Sequence, residues 1–296
     1  MEKITVKVEE SWIKILWNLD RSQSKEMVYV FGVPDSGKSS FCRFLFENLS
    51  GHPRAYIDCD PGQSVIGPPT TIGLKVVSES GKAGEILHFV GSTSPSGHLL
   101  QTLVGIKKLS EKAESLGAQI IILDSSGFVL GPTAQEFQFQ VLDIIQPGHI
   151  CALQNSAELE MVLKNFEQSP RIRIHRLPVS DAVVPRDMQR RQVYREQRFK
   201  EYFRTLEPHQ LPLKNMGLHG MIPDFKNPLQ CKNRLIALCD RENYVVTLGM
   251  VRWIHAEEGL LRFEAPPFDP KQVVSVQFGS IYLSSTGVEI KREVEG

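Results

Sequence analysis

One short stretch, GVPDSGKS at residues 32–39, constrains the fold of this chain more than any other. The preceding run MVYVFGV, residues 27–33, is apolar throughout, as expected for a strand buried on both faces of a parallel sheet. The following residues SSFCRFLFENL, 39–49, place Phe41, Phe44 and Leu45 on one side of a helix. A glycine-rich turn between such a strand and such a helix predicts an α/β domain with a phosphate-binding loop.

The loop also predicts which groups would surround a bound nucleotide. Glycines let backbone N–H groups turn inward around the phosphates, Lys38 places a point charge on the β and γ oxygens, and the Ser39 hydroxyl ligates Mg²⁺. An ordinary strand-to-helix turn is the alternative, and the buried strand and the helix on either side weigh against it. The predicted nucleotide-binding residues are Gly32, Val33, Pro34, Asp35, Ser36, Gly37, Lys38, Ser39 and Ser40.

Carboxylates follow two more predicted strands. Asp124 ends the apolar run IIILD and opens the turn DSSG, while Asp58 and Asp60 end RAYIDCD. Because ligands collect at the carboxyl edge of an open α/β sheet, Ser39, Asp60 and Asp124 are candidate Mg²⁺ ligands. The i, i+2 spacing predicts that Asp58 and Asp60 point to one side, where one of them takes a proton from an attacking hydroxyl. The alternatives are that Asp124 caps the next segment, or that one of the strand-end pair caps the sheet edge and the other is solvated.

The predicted secondary structure divides the rest of the chain into two parts. Strand alternates with helix over residues 27–180, which predicts a doubly wound, mostly parallel sheet. After about residue 205 strand-like runs follow one another with little helical pattern, which predicts a small antiparallel β domain. The predicted organisation is short N-terminal strands at 1–26, a nucleotide-binding domain at 27–205 with an arginine-rich lid at 183–203, and a β domain at 206–296.

Composition limits the partners and the compartment. The chain has 296 residues with 34 basic and 34 acidic side chains, so no global field draws it onto nucleic acid or a membrane. Five cysteines without a C-x-x-C pair indicate reduced thiols rather than a disulfide frame or a zinc site. A polar N-terminus and the lack of a long apolar run predict a soluble cytoplasmic protein.

The one concentrated positive feature is PRDMQRRQVYREQRFKEYFR at residues 185–204. Helical spacing places Arg191, Arg195, Arg198 and Tyr202 on one face. Such a face could stabilise charge on a triphosphate, or it could bind the phosphates of a polynucleotide. The alternative is a solvated helix whose arginines pair with neighbouring carboxylates.

These motifs, in this order, resemble the polynucleotide 5′-hydroxyl kinase family that contains the RNA kinase of the pre-mRNA 3′-end cleavage complex and the nucleolar pre-ribosomal-RNA kinase. The resemblance rests on GVPDSGKSS, YIDCDPGQS, HFVGSTSP, DSSGFVLG and VVPRDMQRRQVYREQRFKEYF. It covers residues 27–205 well and the C-terminal strands more loosely. The D-x-D-x-G-Q element at 58–63 is its specific part, because general nucleotide switches and motors lack it.

The resemblance implies a role for each matching residue. Lys38 and Ser39 would bind the phosphates of ATP and Mg²⁺, and Asp60 would activate the 5′-hydroxyl. The substrate-side residues that it implies are Asp58, Gln63, Thr93, Phe128 and Arg186. It also implies that Arg191 and Arg195 act as catalytic lid arginines.

This chain departs from the family pattern in three places. Phe128 stands where the family commonly has a base-clamping Trp, and phenylalanine stacks with a smaller face. Asp124 stands where Asn is frequent. Only 26 residues precede the first core strand, so we expect no counterpart of the separate N-terminal domain of eukaryotic members.

The leading hypothesis is transfer of the ATP γ-phosphate to the 5′-hydroxyl of single-stranded or duplex RNA, with DNA as a second acceptor. A nucleoside triphosphatase or small-molecule kinase of the same branch is one alternative, although the chain has no N-K-x-D element for guanine. An ATP-binding scaffold with little turnover is another. The sequence points to no particular protein partner.

Overall fold

The computed structural model describes residues 8–181, 183, 186–284 and 286–290, without the side chains of residues 228 and 229. Its helices are α1 (Glu10–Asp20), α2 (Lys38–Asn48), α3 (Leu99–Ser115), α4 (Pro132–Ile145), α5 (Glu160–Leu163), α6 (Met188–Tyr202) and α7 (Pro228–Cys231). Its first seven strands are β1 (Glu26–Gly32), β2 (Arg54–Asp58), β3 (Thr71–Val77), β4 (Ala83–Phe89), β5 (Ile120–Asp124), β6 (His149–Leu153) and β7 (Arg173–Leu177). The remaining strands are β8 (Glu207–Pro212), β9 (Gly217–Gly220), β10 (Arg234–Cys239), β11 (Val245–His255), β12 (Leu260–Ala265) and β13 (Ser275–Tyr282).

The predicted mostly parallel sheet is confirmed. It has seven strands in the order β4-β3-β2-β5-β1-β6-β7. Strands β2, β5, β1, β6 and β7 run parallel, and β3 pairs antiparallel with β2. The central strands are buried along their whole length, which is why they read as continuous apolar runs in the sequence.

The position of β1 explains where a ligand would bind. Strand β1 pairs with β5 on one side and β6 on the other, so the chain leaves β1 at the point where the strand order changes direction. Open α/β sheets bind ligands at this switch point, outside the carboxyl ends of the strands. The glycine-rich loop at 32–39 leaves β1 at this edge.

The chain forms two compact units. The first contains the residues up to Asp60 together with Ile72–Glu85 and Pro95–Asp187; the second contains Pro61–Thr71, Ile86–Ser94 and the chain from Met188 onward. This division differs from the predicted boundary at residue 205, because α6 belongs to the second unit. Phe199 and Phe203 of α6 are buried in one core cluster with Leu235 and Met250 of the second sheet.

The second unit is built on the predicted C-terminal β domain. Its six strands lie in the order β8-β12-β11-β10-β13-β9. All pairs are antiparallel except β9 with β13, which run parallel. A second apolar cluster, which includes Ile236, Val251 and Phe278, fills the other side of this sheet.

The predicted N-terminal strands were wrong for residues 10–20, which form helix α1. The buried residues Trp12, Ile15 and Leu19 follow the i, i+3, i+7 spacing of a helix rather than the alternation of a strand. The Trp12 ring lies 5.0 Å from that of Phe41 and 5.7 Å from that of Phe44, so α1 covers the apolar side of α2. Residues 1–7 of that prediction lie outside the described residues, as do 182, 184, 185, 285 and 291–296 of the later segments.

The Pro- and Gly-rich segment just after residue 205 contains strands β8 and β9. Strand β8 pairs with β12 along its whole length despite its two prolines. Proline is tolerated there because β8 is the edge strand of its sheet.

Two predictions from composition can be compared with the structure. All five cysteines are free and buried. Within the described ranges, every helix is too short or too polar to cross a lipid bilayer.

Two histidines on neighbouring strands lie against each other, and the pKa of each is lowered. The rings of His149 and His175 stack at 5.2 Å with an interplanar angle of 4°, and 2.9 Å separates Nδ1 of the first from Nε2 of the second. Burial lowers the pKa of both, that of His175 to about 4. Arg173 lowers both pKa values further, Lys14 contributes at His175, and Glu26 opposes the shift at His149.

We expect His175→Gln to make the protein less sensitive to acid. Since the pKa of His175 falls from 6.5 to about 4 on folding, the unfolded chain takes up a proton in this range that the native state does not. Native stability therefore falls as the pH drops from 6.5 toward 4. Between about pH 7 and about pH 5, the melting temperature of the variant should fall by roughly 3 °C less than that of the wild type. The exposed His219→Gln is the control; identical pH slopes for His175→Gln and wild type would contradict the assignment.

Candidate functional site

The glycine-rich loop has the backbone geometry that the motif predicts. Gly37 precedes helix α2 with a φ of 93°, a left-handed conformation that side chains other than glycine rarely adopt. A Cβ at Gly32 would lie 2.5 Å from the carbonyl oxygen of Leu153 and 2.7 Å from Oγ of Ser36. Both glycines are therefore required for the loop to wrap closely in front of α2.

Lys38 folds over its own loop. Its Nζ donates hydrogen bonds to the carbonyl oxygens of Gly32, at 2.9 Å, and Val33, at 2.8 Å. The side chain is 8% exposed, and burial lowers the pKa of its ammonium, against the opposing influence of Asp124 and Asp60. Both partners of this buried cation are neutral carbonyl oxygens, and anionic phosphate oxygens would interact with it more strongly.

Asp124 lies at the end of β5, fully inside the protein. Its Oδ2 accepts a 2.7 Å hydrogen bond from the Tyr56 hydroxyl, whereas its buried Oδ1 has no hydrogen-bond partner among the residues that the structure describes. Burial raises the pKa of Asp124, and hydrogen bonding by Ser39 together with the charge of Lys38 lowers it. A hydroxyl beside an incompletely satisfied carboxylate fits Mg²⁺, which takes one or two protein oxygens and completes its shell with phosphates and water.

Asp58 and Asp60 differ in position and in burial. Asp58 lies beside Asp124 in the register of β2 and β5, is 2% exposed, and its Oδ1 accepts the backbone N–H of Asp60 at 3.1 Å. The sequence analysis placed both residues on one strand, so that their side chains would point to the same side. That assumption was wrong, because β2 ends at Asp58 and strand alternation does not extend to Asp60. A carboxylate that accepts this N–H is what the capping alternative expects of Asp58. Asp60 is only partly buried, and its charge acts on Lys38 and Asp124.

The turn after β5 lies directly against the glycine-rich loop. The N–H of Ser125 donates to the carbonyl oxygen of Val30 at 3.0 Å, which continues the pairing of β5 with β1. A Cβ at Gly127 would lie 2.6 Å from Cγ and 3.1 Å from Cα of Pro34. The DSSG glycine is therefore required because the two loops approach so closely.

Gly127→Ala is expected to weaken nucleotide binding about tenfold, since the rigid ring of Pro34 must move to admit a methyl group and the loop moves with it. Gly51→Ala is the matched control, because a Cβ there would meet nothing within 4 Å. Titration with a fluorescent ATP analogue measures the effect. Equal affinities of the two variants would show that the loop absorbs the methyl group without consequence.

Phe128 follows this turn as a half-buried side chain. Its ring lies 6.1 Å from that of Phe137 on α4, and its carbonyl oxygen accepts from Gln138 at 2.8 Å. Gln138 in turn accepts from the Tyr29 hydroxyl at 2.7 Å, which ties this turn to β1. Contacts with Phe137 and Gln138 therefore support the position of Phe128, the residue predicted to stack on a base.

Arg186 pairs with the glycine-rich loop. Asp35, in the left-handed region with a φ of 57°, accepts the backbone N–H of Arg186 at 2.9 Å and its Nε at 3.2 Å. The carboxylate is mostly buried, at 9% side-chain exposure, and the guanidinium is 51% exposed. Arg186, predicted to bind substrate, is thus attached to the loop at the start of the arginine-rich segment.

The predicted binding face of α6 is divided in the structure. All four members of this face are half-buried. Arg198 donates to the carbonyl oxygen of Gly67 at 2.7 Å, and the Tyr202 hydroxyl accepts the backbone N–H of Leu248 at 2.9 Å. Arg198 and Tyr202 thus bind protein groups, while phosphate contacts by Arg191 and Arg195 stay a prediction from the family resemblance.

Two more predicted residues lie in the second unit. Gln63 donates to the carbonyl oxygens of Gly62, at 3.0 Å, and Arg191, at 3.4 Å. Thr93 is half-buried in the turn that follows Gly91, whose carbonyl oxygen accepts the N–H of Ser280 at 2.8 Å. Gln63 thus joins the residues just after Asp60 to the arginine-rich helix.

Sequence reasoning missed Tyr56, whose hydroxyl binds Asp124. A signal was present, because Tyr56 stands two residues before Asp58 and shares its side of the strand. It also missed the pairing of Asp35 with Arg186. No local pattern identifies that pair, since 151 residues separate its members.

Comparison with known proteins places the chain in a family. The family profile described as "mRNA cleavage and polyadenylation factor CLP1 P-loop" matches residues 32–205, which include the glycine-rich loop, the three carboxylates and α6. The chain belongs to this family. The resemblance inferred from its motifs is thereby confirmed.

Relatives similar over nearly the whole length include the polyribonucleotide 5′-hydroxyl kinases of Thermococcus kodakarensis and Methanocaldococcus jannaschii. The first is 27% identical, covering 97% of each chain, and the second is 25% identical, covering 97% of this chain and 95% of the relative. A CLP1 homolog of Dictyostelium discoideum is 28% identical over 69% of this chain and 47% of its own length.

A solved structure of a wild-type Clp1p–Pcf11p complex has the same fold. It aligns with a TM-score of 0.68 at 14% identity, covering 91% of this chain and 79% of that one. At this identity the likeness extends to the fold, which agrees with the predicted nucleotide-binding α/β class.

Proposed function

We propose that this protein is an ATP-dependent polynucleotide 5′-hydroxyl kinase that transfers the γ-phosphate of ATP to the 5′-hydroxyl of RNA. The proposal rests mainly on Asp60 at the sheet edge. The backbone N–H of Asp60 donates to the Asp58 carboxylate, and the charge of Asp60 acts on Lys38 and Asp124. A nucleotide switch needs no such carboxylate, whereas a kinase needs an acceptor for the proton of the attacking hydroxyl. The names of the full-length relatives support the same activity.

On the donor side, backbone N–H groups of residues 32–40 surround the phosphates, and Lys38 turns from its loop carbonyls to the β and γ oxygens. Ser39 and Asp124 would hold Mg²⁺, with Asp60 as a further candidate ligand. When bound, the ion neutralises charge on the phosphate oxygens. Asp124 suits this role because the pairing of Tyr56 with Oδ2 leaves Oδ1 available.

On the acceptor side, the oxygen of the 5′-hydroxyl attacks the γ-phosphorus while Asp60 accepts the proton of that hydroxyl. The bond between the γ-phosphorus and the bridging oxygen of the β-phosphate breaks. Asp58 maintains the position of Asp60, and Gln63 supports the chain that follows. We assign Thr93 to the reacting phosphate and Arg191 with Arg195 to the charge that develops during transfer, as the family resemblance implies.

The 5′-terminal base is expected to stack on Phe128, whose smaller face provides less contact than Trp would. Arg186 stabilises the loop through Asp35, and its exposed guanidinium is available to the substrate backbone. RNA is the proposed acceptor and DNA the competing one.

The experiment that tests this function uses γ-labelled ATP with a 5′-hydroxyl RNA, the equivalent DNA, and the same RNA already 5′-phosphorylated. Label is expected on the 5′-hydroxyl RNA and absent from the blocked one. ATP loss without labelled oligomer would replace the proposal with a triphosphatase or a small-molecule kinase. ATP binding with neither product would indicate a scaffold.

A further inference from the structure

The segment that follows Asp60 forms a closed loop, which we call the 61–70 loop. The N–H of Thr70 donates to the carbonyl oxygen of Pro61 at 2.7 Å, so the two ends of the loop meet. Inside it, the Ser64 hydroxyl donates to the carbonyl oxygen of Ile66 at 2.8 Å. Because Pro61 is bonded directly to Asp60, the position of this loop bears on the position of the Asp60 carboxylate.

Side chains of helix α6 bind the backbone of this loop. The Tyr194 hydroxyl donates to the carbonyl oxygen of Ser64 at 2.8 Å. Nη2 of Arg198 donates to the carbonyl oxygens of Gly67, at 2.7 Å, and Val65, at 3.5 Å. Tyr194 and Arg198 therefore stand one helical turn apart and hold successive carbonyls of the same loop.

The far end of the loop continues this network toward Thr93. The carbonyl oxygen of Thr70 accepts the N–H groups of Val90, at 2.8 Å, and Gly91, at 3.1 Å. The turn that carries Thr93 begins at Gly91. One loop thus joins the residue after Asp60 to the residue before the Thr93 turn, and α6 holds it between the two.

The chemistry of Arg198 fits this role better than a role in binding polyanions. Its side chain is 28% exposed, and Nη1 lies 3.3 Å from Oε2 of Glu201. A planar guanidinium can reach two carbonyl oxygens and a carboxylate at once, which an ammonium on a flexible stem cannot reproduce. Both Nη groups of Arg198 are directed at protein groups, and its Nε is buried without a hydrogen-bond partner among the described residues.

We infer that Tyr194 and Arg198 are positioning residues, which hold the 61–70 loop so that Asp60 meets the acceptor hydroxyl. The inference rests on the proposed kinase function. Arg198 thereby has a different proposed role from Arg191 and Arg195, although the sequence predicts all three on one face of the helix.

The test compares Arg198→Met, Arg198→Lys and Tyr194→Phe with wild type in two measurements. For 5′-hydroxyl RNA, kcat is expected to fall about 30-fold in Arg198→Met and less in the other two, while KM for ATP stays within about twofold. Hydrogen exchange of peptides spanning 61–71 is expected to accelerate in Arg198→Met. Added guanidinium ion should restore part of its kcat and of its exchange protection, which a general loss of stability would not allow.

Lys200→Met, which removes an exposed charge from the same helix, is the matched control and should leave kcat and exchange unchanged. A lower kcat with unchanged exchange would overturn the inference, since Arg198 would then act on the substrate itself. Faster exchange with unchanged kcat would also overturn it, because the loop would be held without catalytic consequence. Failure of the proposed function would look different, since wild type itself would place no label on RNA.

Discussion

Asp60→Asn is expected to lower kcat for phosphorylation of a 5′-hydroxyl RNA about 1,000-fold while leaving ATP affinity nearly unchanged. The amide has the shape of the carboxylate but does not accept the proton of the attacking hydroxyl. The backbone N–H of residue 60 keeps its bond to Asp58, so the loop keeps its course. Single-turnover transfer from γ-labelled ATP measures the chemical step directly, and binding of a fluorescent ATP analogue measures affinity.

Two further variants sharpen this experiment. Asp143→Asn makes the same chemical change on the exposed side of α4 and should behave as wild type. Asp58→Asn keeps an amide oxygen that can accept the N–H of residue 60, so we expect a loss of only about tenfold. If Asp60→Asn still labelled RNA at the wild-type rate, the proton acceptor would have to be another group, and the proposed chemistry would fail.

Lys38→Met is expected to abolish the stabilisation of the protein by ATP without destabilising the ligand-free protein. Methionine preserves the apolar stem of lysine but removes the ammonium that would meet the β and γ oxygens, so affinity should fall at least 100-fold. The lowered pKa of Lys38 shows that burial already disfavours its charge. Removing the charge therefore relieves a desolvation cost, which offsets the loss of the hydrogen bonds to Gly32 and Val33.

Thermal unfolding with and without ATP checks both halves of this prediction. Near 100 times the wild-type Kd, ATP should raise the wild-type melting temperature by about 5 °C and that of Lys38→Met by less than about 1 °C. The ligand-free melting temperatures should agree within about 2 °C. Lys107→Met, which breaks an exposed pair with Glu111 on α3, should keep the full ATP response. A ligand-free Lys38→Met protein that unfolds much earlier would show that the ammonium stabilises the loop itself.

Parts of the fold with a strong local period were predictable. Strands β1 and β5 are mostly apolar because their central residues are buried on both faces. The glycine-rich loop is recognisable because Gly32 and Gly37 meet steric demands that no other residue meets. Helix α1 was not recognised, because the apolar and polar residues of WIKILWNL also fit the alternating pattern of a strand. Its burial against Phe41 and Phe44 decides in favour of the helix.

The site was predictable to a similar degree. The order of motifs pointed to Lys38, Ser39, Asp60 and Asp124 together, since the carboxyl ends of parallel strands meet at one sheet edge. The different positions of Asp58 and Asp60 were not predictable. They depend on where β2 ends, and strand ends are set by pairing with β5 and β3.

The sequence by itself determined the α/β class, the phosphate-binding loop and the family, because these follow from spacings of a few residues and from glycines with no substitute. Only the tertiary structure decided which protein groups Arg198 of α6 and Arg186 just before this helix contact. Arg198 meets Gly67 across 131 residues of chain, and Arg186 meets Asp35 across 151. The free energy of such contacts depends on burial and partner geometry, which arise only when distant segments pack together.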